Sequence, residues 1–402
     1  MKKHFIYFLI IIQVVTSCIQ PLEIDDITFE ENIVVKAILT NELKNHDILL
    51  SKTIHIDSTG TNPVENATVY ITDDTGITYN FRENMSGTYT SNVQFAAEPL
   101  KNYTLHIETS SGLKYSSTAE QLPPISEIDK LDFDIELNDD GRESLVIKAN
   151  SILNSGDGGY YRYSYDETYK VKATYWSPKT IKIVSTNPYN FSLVDKDPNI
   201  YGVGFCYGNE KAKKIMVTET KTLGEDRVLA FPLRTIVLDS YIIGIRYSIL
   251  VNQYVLNKNT YDYYELLSKF SDPDNIFSQV QLGNIPSNIT SETNPSENKV
   301  SGFFEVSSVY TERFYMNRED ITDTSFINYV RTSSCQETVN PALEDQFGGS
   351  PLFNFLNGNG YIFFMEDPNN PQSTTRPYFL IGRTCGDCTS VGPPIAPSFW
   401  VD

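Results

Sequence analysis

Apolar and polar side chains alternate with period two through the first third of the chain, and that pattern ties each segment to a strand with one buried face. Val34, Lys36 and Ile38 oppose Ile33, Val35, Ala37 and Leu39. Ala67, Val69 and Ile71 oppose Thr68, Tyr70 and Thr72, and Tyr103, Leu105 and Ile107 oppose Thr104, His106 and Glu108. Turn-forming residues separate the runs: Asn62-Pro63, Asp73-Asp74-Thr75-Gly76, Ser86-Gly87 and Ser110-Ser111-Gly112. Their spacing is that of short strands in a sandwich. Composition agrees, because 26 Tyr and 22 Phe accompany few helix-forming runs, and aromatic residues fit pleated, half-buried surfaces. A mainly β chain is expected.

The run Pro63-Val64-Glu65-Asn66-Ala67-Thr68-Val69, followed by Gly87-Thr88-Tyr89 and Tyr103-Thr104-Leu105, resembles small Ig-like or prealbumin-like modules. An Ig-like β-sandwich is therefore expected over residues 27–122. Leu122-Pro123-Pro124 reads as a linker, since two prolines stop both helix and ladder, and a larger β-rich domain is expected over 126–402.

The N-terminus gives an address. Lys2 and Lys3 precede an apolar run over residues 5–15, and Val15-Thr16-Ser17-Cys18 has the shape of a bacterial lipoprotein processing site. The run is too short to span a bilayer. Residues 1–17 are expected to be a signal peptide and Cys18 to carry lipid, with 18–26 an acidic tether; an ordinary signal peptide beside a free Cys is the rival reading. Several acyl chains on one Cys anchor a protein where a single chain binds only marginally. The expected location is the outer membrane, lipid-anchored and exposed at the cell surface. Removing 1–17 would leave 385 residues and shift 32 basic against 51 acidic residues to 30 against 51. Nucleic acid is a poor partner for such a surface.

Beyond the linker, Leu131, Phe133, Ile135 and Leu137 alternate with Asp132, Asp134 and Glu136, and Asn138-Asp139-Asp140-Gly141 leads into Leu145-Val146-Ile147. A hairpin is expected. A calcium reading of its acids is disfavoured, because Gly is misplaced for an EF-hand loop and the acids face solvent on a strand. In Tyr160-Tyr161-Arg162-Tyr163-Ser164-Tyr165, the rings of Tyr161, Tyr163 and Tyr165 share a face and suit cross-strand aromatic packing better than a sugar platform. Arg246-Tyr247-Ser248-Ile249-Leu250-Val251 reads as a strand. A short helix is expected over 260–270, capped by Asn259, with an apolar stripe of Tyr263, Leu266, Leu267 and Phe270 that packs on a sheet.

With Cys18 lipidated, Cys206, Cys335, Cys385 and Cys388 remain, an even number in an oxidising compartment. Two structural disulfides are expected, at least one joining the C-terminal pair to Cys206 or Cys335. The rivals for Cys385-Gly386-Asp387-Cys388 are a zinc site and a redox centre. No His follows His106, so the larger part of the chain lacks the usual base for a Ser or Cys nucleophile and the usual ligand of catalytic zinc. His46, His55 and His106 read as surface residues. Gly-x-Ser-x-Gly, His-Glu-x-x-His and phosphate-binding Gly loops are absent from the sequence. No catalytic, metal or cofactor-binding residue is expected, although paired carboxylates leave no local signature.

The acidic, Pro-containing segment after Cys18, Ala67-Thr68-Val69, Pro124-Ile125-Ser126-Glu127-Ile128-Asp129, Tyr160-Tyr161-Arg162-Tyr163, Arg246-Tyr247-Ser248 with Gln253-Tyr254, Gly283-Asn284-Ile285, Gly302-Phe303-Phe304, and Cys385-Gly386-Asp387-Cys388 to Phe399-Trp400 together resemble a Bacteroidota lipoprotein family, domain of unknown function 4249 (DUF4249). The likeness runs nearly the whole chain and is most specific at its C-terminal end. The family's usual Gly-containing opening strand is less well matched, with Lys36-Ala37 in that place. Asp57-Ser58-Thr59 resembles the phylum's O-glycosylation acceptor. The resemblance implies no catalytic residues. It implies a partnership with a TonB-dependent outer-membrane receptor, in which this lipoprotein captures a ligand of unknown identity or caps the receptor. A structural or adhesive surface role is the alternative, followed by a carboxylate-dependent hydrolase.

Overall fold

The computed structural model describes residues 31–54, 60–152, 159–221, 227–271, 285–295, 300–321, 335, 337–370 and 373–402. The expected signal peptide, Cys18 and the expected tether, together with His55, Asp57-Ser58-Thr59 and Gly283-Asn284, lie outside the described residues. The first strands are β1 (Ile33–Thr40), β2 (Asp47–Lys52), β3 (Asn62–Pro63), β4 (Thr68–Asp73), β5 (Thr78–Met85), β6 (Thr88–Ser91), β7 (Asn102–Glu108), β8 (Lys114–Ser117) and β9 (Glu120–Gln121). After them come β10 (Glu127–Leu137), β11 (Glu143–Ile152), β12 (Tyr160–Lys172), β13 (Lys179–Thr186), β14 (Tyr189–Asp195), β15 (Phe205–Lys211), β16 (Met216–Glu219), β17 (Arg227–Val237) and β18 (Arg246–Leu256). Helix α1 (Lys258–Ser271), β19 (Ile289–Ser291), β20 (Val300–Asn317), β21 (Thr338–Val339), α2 (Pro351–Asn357), β22 (Tyr361–Glu366) and β23 (Tyr378–Gly382) complete the order used below. The chain is mainly β and sandwich-like, with short helices.

In the first body the alternation sorts side chains as expected. Ile33, Val35, Ala37 and Leu39 of β1, Val69 and Ile71 of β4, and Tyr103, Leu105 and Ile107 of β7 are buried in one core. Each fully buried Ile or Leu contributes on the order of 1.5–3 kcal/mol. Tyr89 shows how a ring is accommodated there: its hydroxyl donates to the Val64 carbonyl at 2.7 Å and accepts from the Ala67 N–H at 2.9 Å. The sheet runs β20-β1-β2-β6-β5-β4-β7-β8-β19 and curls toward itself. Beside β19, the Asn288 amide both donates to the Phe304 carbonyl and accepts from its N–H, each at 2.9 Å.

Two of these strands come from late in the chain. β19 pairs with β8, and residues 300–307 of β20 pair in parallel with β1. Ile289, Val300, Phe304 and Val306 thus belong to the first core, although in chain order they fall within 126–402. The remaining half of β20, residues 308–317, pairs antiparallel with β18 in the second body. One long strand therefore joins the two cores. Its crossing depends on Gly302, which lies opposite Val35 at φ +105°; a Cβ there would sit 1.9 Å from the Val35 carbonyl oxygen.

The second body is a sandwich of the β10-β11-β17 sheet on the β15-β12-β18-β20 segment of the long sheet. The expected hairpin is present, with Asn138 Oδ1 accepting from the N–H groups of Asp140 and Arg142 across the turn. Its alternation buries less than expected. Leu131 is buried and Phe133 packs on Phe314, but Ile135 and Leu137, farther out on that face, are exposed. Tyr161 and Tyr163 are fully buried. The ring stacked on Tyr163, at 5.0 Å, is Phe231 of β17, so the aromatic packing runs between sheets. Across the ladder Tyr161, Tyr163 and Tyr165 face Val255, Gln253 and Val251 of β18, so cross-strand ring pairing gives way to inter-sheet contact.

The buried carboxylate of Glu167 accepts Arg234 Nε and Nη2, each at 2.9 Å, and the Tyr247 hydroxyl at 2.7 Å. A bidentate Arg fork satisfies a carboxylate with fixed geometry. A small third core gathers Ile181, Leu352, Phe363 and Leu380 from β13, α2, β22 and β23. The segment 399–402 crosses the long sheet: Trp400 packs edge-on against Tyr207, the Arg313 guanidinium lies 3.8 Å over Phe399, and Lys170 pairs with Asp402 at 2.6 Å. Among the described residues, no helix is long and apolar enough to cross a membrane.

Candidate functional site

The cysteines form two bonds, Cys206–Cys388 and Cys335–Cys385. The adjacent Cys385 and Cys388 therefore go to different partners, which overturns both the zinc and the redox readings of that motif. Sequence separations of 182 and 50 residues make the bonds worth about 5 and about 4 kcal/mol in the chain-entropy account. They tie β15 and residue 335 to the turn after β23, and they are structural.

Helix α1 begins at Lys258, two residues earlier than expected, which moves its cap position from Asn259 to Asn257. Asn257 does not cap: its side-chain amide donates to the Gln121 carbonyl at 2.9 Å. The helix lies over the crossing of β20, with Tyr263 at 5.0 Å from Phe303 and Tyr261 at 5.0 Å from Tyr160. Part of its stripe thus packs on the sheet as expected. Tyr263 and Leu267 also form one wall of an open cleft of about 750 Å³ between the first body, the second body and α1.

The cleft is built from faces the cores leave over. Because β1 turns Ile33, Val35, Ala37 and Leu39 into the first core, Val34, Lys36 and Ile38 face the cleft. Because β12 turns Tyr161 and Tyr163 into the second core, Arg162 faces the opposite way. The segment 212–215, which follows β15, adds Lys213 and Lys214, and β20 adds Ser301, Gly302 and Phe303. Among the described residues, four cationic side chains line the cleft and no Asp or Glu does. Lys213 reaches Glu210 at 3.8 Å on an exposed edge.

Arg162 sits at the base. Its guanidinium lies 3.9 Å from the Tyr254 ring centre and 4.7 Å from that of Tyr264, and Nη2 donates to Glu305 Oε1 at 2.8 Å. Glu305, fully buried, also accepts the Tyr264 hydroxyl at 2.6 Å and the Ser307 hydroxyl at 2.5 Å. Burial disfavours the Arg162 charge, but the Glu305 carboxylate and the two tyrosines outweigh it and hold its pKa above the ordinary value. Burial, with Glu305 beside it, pushes the Tyr264 hydroxyl well up. Both groups keep their neutral-pH forms. Arg162 Nε is buried without a hydrogen-bond partner.

Histidines do not converge here. His46 is buried, donating from Nε2 to the Phe95 carbonyl at 2.8 Å, which corrects its reading as a surface residue. The short chain excursion before β2 turns it inward. His106 is half-buried, stacked on Tyr70 at 4.7 Å. Among the described residues, no three His, Cys, Asp or Glu side chains are grouped to hold a metal ion.

None of the cleft residues was singled out as a site from the sequence. A signal was present: Glu305 interrupts the apolar run Phe303-Phe304-Glu305-Val306, and a carboxylate in a buried strand requires a cationic partner.

These features define a double β-sandwich protein with a preformed cleft where one shared strand passes between its cores. The chain belongs to the family described as domain of unknown function (DUF4249), whose model matches residues 19–313. The match covers both sandwiches up to β20 and stops short of Cys385-Gly386-Asp387-Cys388 and Phe399-Trp400, where the sequence resemblance had been most specific. No curated protein matches the chain.

Proposed function

We propose that this protein is a lipid-anchored outer-membrane lipoprotein, exposed at the cell surface, that captures a ligand as the accessory or capping partner of a TonB-dependent transporter. The observation that carries the binding half of this reading is the cleft: open, about 750 Å³, walled by Tyr, Phe and aliphatic side chains with a few convergent polar groups, in the manner of small-ligand sites. Its charged base is locked by Glu305, Tyr254 and Tyr264 and is preorganised. Each buried carboxylate among the described residues is already engaged, Glu167 and Glu305 by an arginine, Glu120 by Asn288 and Thr118 and Asp73 by Thr75 and Lys101, which favours binding over a hydrolase that needs a free carboxylate. The anchoring half is supported by Lys2-Lys3, the apolar run and Val15-Thr16-Ser17-Cys18; the family match starts at Ile19, the residue after Cys18.

Tagged protein, recovered from outer membranes in mild detergent at native abundance, is expected to bring down a receptor barrel and to carry acyl chains on Cys18 by mass spectrometry. Recovery without a barrel removes the partnership. An unmodified Cys18 thiol removes the anchor.

A further inference from the structure

We infer that the cleft takes an anionic small ligand, one with a carboxylate or phosphate head on a ring-bearing or apolar body; this deepens the ligand-capture reading and rests on it. The chain as a whole is acidic, with a formal charge of -19, yet the cleft collects Lys36, Arg162, Lys213 and Lys214 and no described carboxylate faces it. Glu305, beneath Arg162, offsets that one charge. The lysines remain, and among the described residues neither Lys36 nor Lys214 forms an ion pair.

Low-dielectric walls focus the field of such charges into the cleft, which raises the local concentration of an anion there above that over the surrounding acidic surface. The walls specify the rest of the ligand: Val34, Ile38, Leu267 and the Tyr263 ring offer apolar contact that inorganic anions cannot use. The Arg162 guanidinium, fixed through Nη2 on Glu305, lines the same cleft. A neutral ligand would leave the lysines without a role in recognition.

The test uses pyridoxal 5′-phosphate, an anionic ring whose aldehyde condenses with a nearby lysine amine, losing water, to an imine that borohydride reduces to a stable secondary amine. The probe is applied to the full-length lipoprotein in a neutral detergent, with pyridoxal, which lacks the phosphate, as its partner probe. Peptide mass mapping is expected to show Lys36, Lys213 or Lys214 modified roughly tenfold more than the exposed Lys211 and Lys172, a ratio set by differential binding. Pyridoxal should show no such preference, and 2-naphthoate should suppress the labelling where 2-naphthamide does not. The exposed-residue variant Lys36→Gln/Lys213→Gln/Lys214→Gln should leave labelling elsewhere unchanged and, by native fluorescence, remain folded.

Labelling spread evenly over exposed lysines, or equal selectivity with pyridoxal, overturns the inference. Even labelling together with a co-purifying barrel would remove the anionic ligand and leave the transporter partnership. Selective labelling without a barrel would do the reverse.

Discussion

Replacing Glu305 by alanine isolates the contact that holds the two sandwiches at the cleft. Glu305 is fully buried and accepts three hydrogen bonds, from Arg162, Tyr264 and Ser307, while the Arg162 side chain is 11% exposed. The substitution leaves a guanidinium in the interior without its counter-charge, and breaking a buried pair on one side costs about 3–5 kcal/mol. That is a large share of a domain stability of about 5–15 kcal/mol. Urea unfolding followed by the fluorescence of Trp176 and Trp400, the two tryptophans of the chain, should show the loss directly. The double variant Arg162→Met with Glu305→Leu removes the orphaned charge and replaces it with apolar volume, an exchange that is often neutral or better. Two hydroxyls, on Tyr264 and Ser307, then lack an acceptor, at about 1 kcal/mol each. The double variant should therefore fall about 2 kcal/mol below the parent and lie above Glu305→Ala. A single substitution costing less than about 1 kcal/mol, or a double variant no more stable than the single, would refute the argument that this pair is buried and interdependent.

Gly302→Ala should prevent the parallel pairing of β1 with β20, since the new Cβ meets the Val35 carbonyl oxygen at 1.9 Å and the backbone holds φ +105°; soluble yield and thermal midpoint are the readouts, and an unchanged midpoint contradicts the placement. Burial lowers the pKa of His46, partly opposed by its bond to Phe95. Its unfolded form takes a proton below about pH 6.5 and the native form only at lower pH, so stability is lost as pH falls from that point and levels off below the folded pKa. The lowered pKa of His106 acts in the same direction. Denaturation between pH 7.5 and pH 5.5, as working limits around that pKa, should show a shallower slope for His46→Asn than for the parent chain; parallel slopes contradict the burial of a neutral imidazole.

Much of the architecture was legible because alternation is a local property. Ile33, Val35, Ala37 and Leu39 announce a buried face without reference to any other strand, and Tyr161 and Tyr163 do the same in β12. Pairing is not local. Nothing in residues 33–40 encodes that their neighbour is residues 300–307, so a division at Leu122-Pro123-Pro124 could not anticipate that β19 and half of β20 complete the first core. The tyrosine face of β12 was legible, but which ring it meets depends on the sheet above, and Phe231 lies about seventy positions away in the sequence. The even number of cysteines fixed that they pair, while the choice of Cys388 for Cys206 and Cys385 for Cys335 required the fold. His46 was misjudged for a related reason: it lies outside the regular alternation, and its burial is set by the Phe95 segment that closes over it.

The cleft was the least legible part, and the cause lies in β20. Its residues Val300, Phe304 and Val306 serve the first core, while Phe303 and Glu305 point to the other side, where α1 and β12 meet them. The walls given by β1, β12 and β20 are thus the backs of strands whose sequence pattern is explained by the opposite face, and α1 and the segment 212–215 close the rest. Neither sandwich owns the site, because Lys36 comes from the first and Arg162 from the second, and Glu305 belongs to the strand they share. It follows that binding at the cleft and docking of the sandwiches are one equilibrium: a ligand that contacts both walls stabilises the joined state by RT ln(1 + [L]/Kd), and a substitution such as Gly302→Ala, which removes no charged group, would remove the site by separating its walls. A site made this way is rigid only as long as the join holds, and its selectivity for charge is set by which residues the two cores leave facing outward.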